Sequence, residues 1–180
     1  MNKPLPSVFL GGTCDGVMWR TPFETQLTEM DVSFFNPMVP NWEPWMVEEE
    51  NRCMRESPVV LFPVLSASLG LGSLAEVGFC VLSVLRDIQA GKNRELIVLI
   101  DPEVDEDVTV KDKITKERVP AGPNLVNESN RMRALVRSKV LAESWRQGVH
   151  LIDSLEEGQR VLERLIQAQH LDIEPIQKTG

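Results

Sequence analysis

Residues 58–101 read PVVLFPVLSASLGLGSLAEVGFCVLSVLRDIQAGKNRELIVLID. Two continuous apolar runs, Pro58 to Leu65 and Glu95 to Ile100, flank a stretch with the length and turn signals of a helix. The helix is predicted over Ser73–Arg86, ended by Ala90-Gly91-Lys92-Asn93. Strands that are apolar at successive positions, without polar alternation, belong to a parallel sheet covered on both faces. Pro63, which has no backbone N–H, argues against a fully regular ladder in the first of them.

The same grammar extends in both directions. Ser7-Val8-Phe9-Leu10 reads as a buried strand ended by the loop Gly11-Gly12-Thr13-Cys14-Asp15-Gly16. A helix within Met18–Met30, a strand Phe34-Phe35 stopped by Asn36-Pro37, and a helix over Val47–Arg55 follow, with Pro40, Trp42, Pro44 and Trp45 in an irregular loop. Beyond Asp101, residues 103–126 are polar and turn-rich and read as a surface excursion. A basic helix is expected over Glu128–Gln147, a strand over Val149–Asp153 and a last helix over Ser154–Gln169, where Ser154 and Glu157 have capping-box spacing. The reading is a single α/β domain over 1–180, open and doubly wound, with about five parallel strands and helices on both faces. Ligands of such sheets sit beyond the carboxyl ends of the strands, so the loops 11–19, 36–45 and 66–76 share one rim.

Composition narrows the chemistry. Of 180 residues 42% are hydrophobic and 26% charged, which fits a globular chain and excludes general disorder. The net charge of −8 disfavours nucleic-acid binding without a local basic patch. No apolar stretch reaches the roughly 18 residues of a membrane span. Met1-Asn2-Lys3-Pro4 does not begin a secretory leader, and three unpaired cysteines, Cys14, Cys53 and Cys80, suit a reducing cytoplasm. His150 and His170 are the only histidines, and His150 lies in a strand pattern that suits a structural role, so a histidine triad is poorly supported. No HExxH, CxxC or Walker A sequence occurs, and no metal or organic cofactor is expected. Gly70-Leu71-Gly72-Ser73-Leu74-Ala75 has the form of a dinucleotide fingerprint. The spacer before it and the distance to Asp101 both speak against that use.

Glu76 is the residue of most interest. Ser73 and Glu76 have the spacing of a capping box, which would make Glu76 a structural group. A carboxylate at the mouth of a strand–loop–helix unit can also attack an anomeric carbon and form a glycosyl-enzyme. In the first loop Gly11, Gly12 and Thr13 could turn backbone groups to a ligand, and Asp15 could bind sugar hydroxyls or a base; a tight turn with a solvated Asp15 is the plainer use. Trp19 and Trp42 could stack on a base or pack in the core. Asn36-Pro37 could orient a ligand or simply end a strand. No neighbouring residue in the sequence would activate Cys14. The basic helix offers a partner surface or an ordinary solvated face.

Val8-Phe9-Leu10-Gly11-Gly12-Thr13, Trp19-Arg20, Phe35-Asn36-Pro37, Trp42 and Ser73-Leu74-Ala75-Glu76-Val77-Gly78, in that order, resemble the nucleoside 2-deoxyribosyltransferase-like family. The loop Ser68-Leu69-Gly70-Leu71-Gly72 before Glu76 also resembles that of the related deoxynucleoside monophosphate N-glycosidases. The resemblance, over residues 7 to 101, implies a flavodoxin-like fold. It implies cleavage or transfer at the N-glycosidic bond of a (deoxy)nucleoside or its monophosphate, with Glu76 as nucleophile. Ser68 and Ser73 would bind a phosphate or sugar hydroxyl. It implies a homo-oligomer, with Asn124 donated to a neighbouring subunit's site. Two departures stand out: residues 66–75 lack the aspartate that family transferases carry just before the glutamate, a catalytic part that Asp15 or a bound water could take, and the chain has no tyrosine. A non-catalytic nucleotide-binding or signalling module is the alternative reading.

Overall fold

The computed structural model describes residues 4–14, 18–38, 43–112 and 114–169. In chain order the elements are β1 (Val8–Leu10), α1 (Arg20–Glu29), β2 (Phe34–Phe35), α2 (Met46–Glu56), β3 (Val59–Val64), α3 (Leu71–Gln89) and β4 (Glu95–Ile100). They continue with β5 (Thr109–Lys111), β6 (Arg118–Pro120), α4 (Pro123–Glu143), β7 (Val149–Ile152) and α5 (Leu155–Gln169).

The main sheet has five strands in the order β2-β1-β3-β4-β7, all parallel. The expected open, doubly wound α/β architecture is therefore present. Every residue of β1, β3 and β4 is buried. Period-two alternation, invisible in the apolar runs, decides which helix layer each residue meets. Phe9, Val60, Phe62, Val64, Leu96, Val98 and Ile100 pack with Cys53 and Met54 of α2, Val77, Cys80, Val81 and Val84 of α3 and Val140 of α4. Val8, Leu10, Val59, Leu61, Ile97 and Leu99 pack on the other face with Phe23 and Leu27 of α1 and Val161, Leu162 and Ile166 of α5. Each such side chain contributes about 1.5–3 kcal/mol by leaving water.

Pro63 does not interrupt β3, which stays in register with β4 through Pro63↔Leu99. Its missing N–H belongs to the other side. Val59 N donates to Ser7 O and Leu61 O accepts from Gly11 N, so residues 59, 61 and 63 turn their polar groups toward β1. A donor at 63 would reach the Gly11 carbonyl, and the Arg20 guanidinium bonds that carbonyl instead, at 2.9 Å.

The 103–126 excursion contains an antiparallel hairpin, β5–β6, that its polar composition concealed. Helix α4 begins inside it, at Pro123 rather than Glu128, because proline suits a first helical position that needs no N–H donor. At α5 Ser154 caps as expected, Glu157 N donating to Ser154 Oγ at 3.1 Å, while Glu157 Oε2 accepts from Asp153 N, one residue before the cap, at 2.8 Å. His150 is a structural residue, its Nε2 2.8 Å from Glu95 Oε2. Among the described residues no helix is long and apolar enough to cross a membrane.

The chain steps outward from β1 to β2, then crosses back to β3. The crevice between β1 and β3, above their carboxyl ends, is thus where loops part and a ligand can enter.

Candidate functional site

The loop after β1 is held from within by Arg20, the first residue of α1. Its guanidinium is 4% exposed and donates to the carbonyls of Leu10 (3.0 Å), Thr13 (3.1 Å), Gly11 (2.9 Å) and Gly12 (3.2 Å). Burial lowers its pKa, countered by Cys14, Glu24 and Glu50, from a starting value so high that the charge persists. The glycines here serve packing. A Cβ on Gly11 would lie 2.5 Å from the Phe62 ring, and one on Gly12, at φ +88°, would collide with the Pro63 carbonyl oxygen.

Thr13 is buried, its N–H bonded to Pro63 O at 2.9 Å and its Oγ1 accepting from Leu65 N at 3.3 Å. Trp19 resolves to the core side of its alternatives. It is 2% exposed, donates from Nε1 to Thr13 O at 2.9 Å, meets Phe23 edge-on, and lies beneath the Arg20 guanidinium at 4.3 Å. It offers no free ring for a base. Gly11, Thr13 and Trp19 thus build the rim rather than present groups on it.

The loop after β3 is held by Arg133, which reaches in from α4 and is fully buried. It donates to Val64 O (3.0 Å), Asp101 O (3.0 Å), Leu65 O (2.9 Å) and Ser68 O (2.6 Å). Ser129 Oγ donates to Leu69 O at 2.6 Å, and Ser66 N to Asp101 Oδ2 at 2.7 Å. The basic helix is therefore not simply a solvated face. Ser68 Oγ accepts from Gly70 N at 3.0 Å and keeps its hydroxyl hydrogen as a donor.

This loop also corrects the expected start of α3. Gly70, at φ +62°, is the N-cap, and no side chain caps the helix. Ser73 is the third helical residue, half-buried, so the Ser73–Glu76 capping box does not form. Gly70 enters the helix from a left-handed conformation that Ser73 could not adopt cheaply. Glu76 is thereby released from a capping role, and it keeps solvent access.

Glu76 lies within electrostatic reach of a second carboxylate, Glu50 of the neighbouring α2. Partial burial raises the Glu76 pKa above the usual carboxylate range, and the Glu50 charge raises it further. Burial also raises Glu50, while Arg20 pulls it back down. Two partly buried carboxyl groups with raised pKa values, one of them acted on by the buried Arg20 guanidinium, have the chemistry of proton transfer and nucleophilic attack. Glu50, inside the predicted helix Val47–Arg55 and flanked by Glu48 and Glu49, is not among the residues that the sequence singles out. The signal was there. Glu50 lies one helical turn from Met46, Cys53 and Met54, all buried, so it sits on the apolar stripe of α2.

Cys14 completes the cluster. Its Sγ is 3.7 Å from Arg20 Nη2, a cation that the linear sequence hid, yet burial outweighs that cation and raises the thiol's pKa. Cys53 and Cys80 are buried thiols, both pushed up to about 12.

The remaining candidates separate. Asn36 builds a turn: its Nδ2 donates to Glu24 Oε1 and its Oδ1 accepts from Met38 N, both at 2.8 Å, with Pro37 inside that turn. Asn124 is exposed in the first turn of α4. Asp15 and Trp42 lie outside the described residues. Among the described residues no group of three or more His, Cys, Asp or Glu could hold a metal ion. A groove of about 580 Å³ between α1 and α5, lined by Gln26, Glu29, Arg160 and Glu163 among others, lies on the opposite helix layer from the carboxylate pair.

A family model described as nucleoside 2-deoxyribosyltransferase like matches residues 5–90. The matched span runs from β1 through α3 and contains Arg20, Glu50 and Glu76. No curated protein matches the chain.

Proposed function

With the match over residues 5–90 as premise, we propose that the chain cleaves or transfers the glycosyl group of a (deoxy)nucleoside or nucleoside monophosphate at its N-glycosidic bond. The observation that carries this reading is Glu76, exposed near the start of α3 and within electrostatic reach of Glu50 on the neighbouring α2. Glu76 attacks C1′, the bond from C1′ to the base nitrogen breaks, and the base leaves with the bonding electrons and a proton from Glu50. A glycosyl-Glu76 ester remains. Water, giving its proton to Glu50, then attacks C1′ and frees the Glu76 carboxylate; a second base in place of water makes the reaction a transfer. In this scheme Glu50 takes the part of the aspartate that residues 66–75 lack. Arg20 keeps Glu50 from holding its proton too tightly. Ser68 and Ser73 are the candidates for a 5′-phosphate or a sugar hydroxyl.

The rate is expected to fall on the acid side as Glu76 protonates and on the alkaline side as Glu50 loses its proton.

The test is chromatography of free base from a panel of nucleosides, deoxynucleosides and monophosphates, with and without an acceptor base. Release by the wild type, lost in Glu76→Gln and reduced at least about 100-fold in Glu50→Gln, is the expected result. Release from no substrate by the folded wild type sinks the enzymatic reading and leaves a nucleotide-binding module of the same fold.

A further inference from the structure

The carboxyl ends of the five parallel strands open onto stretches whose charges are all of one sign. The loop after β4 carries Asp101, Glu103, Asp105, Glu106 and Asp107, and those after β1, β2 and β7 carry Asp15, Glu43 and Asp153. The loop after β3 leads to Glu76 near the start of α3. No lysine or arginine occurs in any of these stretches, 11–19, 36–45, 65–76, 101–108 and 153–154. The acidic loop after β4 is bonded to the loop that leads to Glu76: Ser66 N donates to Asp101 Oδ2 at 2.7 Å, and Asp105 N to Ser66 O at 3.0 Å. Glu103, Asp105, Glu106 and Asp107 are exposed there.

The arginines that reach this rim from the helices are turned into the frame. Arg133 has all five of its N–H donors engaged, Nε on Ser129 Oγ and the others on four main-chain carbonyls. Arg20 is committed to four carbonyls in the same way, and Arg137 to Ile100 O at 3.1 Å and the Asp153 carboxylate at 2.6 Å. A 5′-phosphate is recognised by charge-assisted donors, and these guanidiniums spend theirs on the protein itself. A cleft lined by one sign of charge raises the local concentration of the opposite sign roughly 10- to 1,000-fold. The rim therefore repels a phosphate and draws in a cation.

The chemistry of the bond points the same way. When the base ring is cationic, the electrons of the breaking C1′–N bond neutralise the ring, and the base leaves without taking up a proton. Residues 66–75, just before Glu76, contain no Asp or Glu that could supply one. A cation drawn up to Glu76 also favours the ionised, attacking carboxylate, against the burial and the Glu50 charge that raise its pKa.

We propose, resting on the reading that Glu76 attacks C1′, that the substrate is an unphosphorylated N-glycoside of a cationic heteroaromatic base, an N-ribosylated pyridinium or a 7-alkylated purine nucleoside. Glu76 bonds to C1′, the C1′–N bond breaks with its electron pair passing to the ring, and the neutral base departs. Water then gives its oxygen to C1′ and a proton to Glu50, and Glu76 is freed as a carboxylate. With this substrate Glu50 acts as a base alone, and Ser68 and Ser73 are left to the sugar hydroxyls.

N-ribosylnicotinamide and its 5′-phosphate share one glycosidic bond, so their ratio reads the site and not the lability of the bond. The unphosphorylated form is expected to have a kcat/KM at least about tenfold higher, falling severalfold between about 20 and 200 mM salt. The same pair built on 7-methylguanosine tells a pyridinium from a purinium substrate, by which ring gives the larger kcat/KM. Glu103→Lys combined with Glu106→Lys, both at exposed positions, is expected to lower kcat/KM for the preferred cation about tenfold and to raise it for the 5′-phosphate. Turnover of guanosine and the circular dichroism should not change. Binding is read separately by calorimetry on Glu76→Gln. N-ribosylnicotinamide is expected to bind at least about tenfold tighter than its reduced, uncharged dihydropyridine form. Equal binding of those two, or 5′-phosphates processed as well as their parents, overturns the proposal and leaves N-glycosidic cleavage standing. Tighter binding of the cation, with no base released by the wild type from any of these compounds, overturns the reaction and keeps the ligand class.

Discussion

The loops after β1 and β3 form the two walls of the crevice, and both are fastened by a buried arginine bonded to four backbone carbonyls. The arginines come from different distances. Arg20 lies seven to ten residues from its acceptors and also faces Cys14 and Glu50. Arg133 reaches Ser68 across 65 residues and Val64 across 69, and its electrostatic neighbours are Asp101 and Asp105. The device is the same, but one copy also acts electrostatically on Cys14 and Glu50 beside the candidate site, whereas the other ties α4 to β3.

That difference can be broken or sharpened by substitution. The largest effect is expected at Arg133→Met, which strands four carbonyls deep in the structure and unties α4 from β3. It should cost on the order of 4 kcal/mol in urea unfolding, with the pH dependence of any residual turnover unmoved. Arg20→Met should cost somewhat less, about 3 kcal/mol, because its loop lies at the rim where water can replace some bonds. It should also shift the alkaline limb of the rate upward in pH, since Arg20 holds the Glu50 pKa down. Equal pH profiles for the two variants would erase the distinction. Gly12→Ala should cost about 2 kcal/mol through its positive φ and the Pro63 oxygen, read from the thermal midpoint.

The smallest effect is on the carboxylates, and its sign is opposite. A carboxyl whose pKa is higher in the folded than in the unfolded chain stabilises the fold at low pH and loses that contribution as pH rises through the folded value. Glu76 is such a group. Glu76→Gln should therefore unfold at slightly higher temperature than the wild type above the usual carboxylate range, while losing turnover. A lower midpoint at pH 8 than the wild type would contradict that assignment.

The strands and their parallel arrangement were legible because burial on both faces leaves unbroken apolar runs. What the linear reading lost was the direction of polar side chains. Trp19 could equally face a ligand or the core until Thr13 O was found as its acceptor. Arg133 looked like one cation of a solvated helix, because its acceptors lie more than 30 residues away or further. Glu50 was hidden by two neighbouring glutamates, though its helical spacing gave it away. The start of α3 was misplaced because a left-handed glycine cap leaves a weaker trace than a serine three residues before a glutamate.

Both arginines grip main-chain oxygen atoms, and these are the same whichever amino acid supplies them. Cys14, Ser66, Ala67 and Ser68 can therefore be exchanged with every one of those carbonyl bonds kept, Cys14 losing only its Sγ contact with Arg20. A crevice held in this way separates the variation of its lining from the integrity of its frame, and a library randomised at those four positions should return folded proteins far more often than one randomised at Gly11, Gly12 and Gly70. The rim is, in that sense, a socket in which new recognition can be tried at little cost to folding.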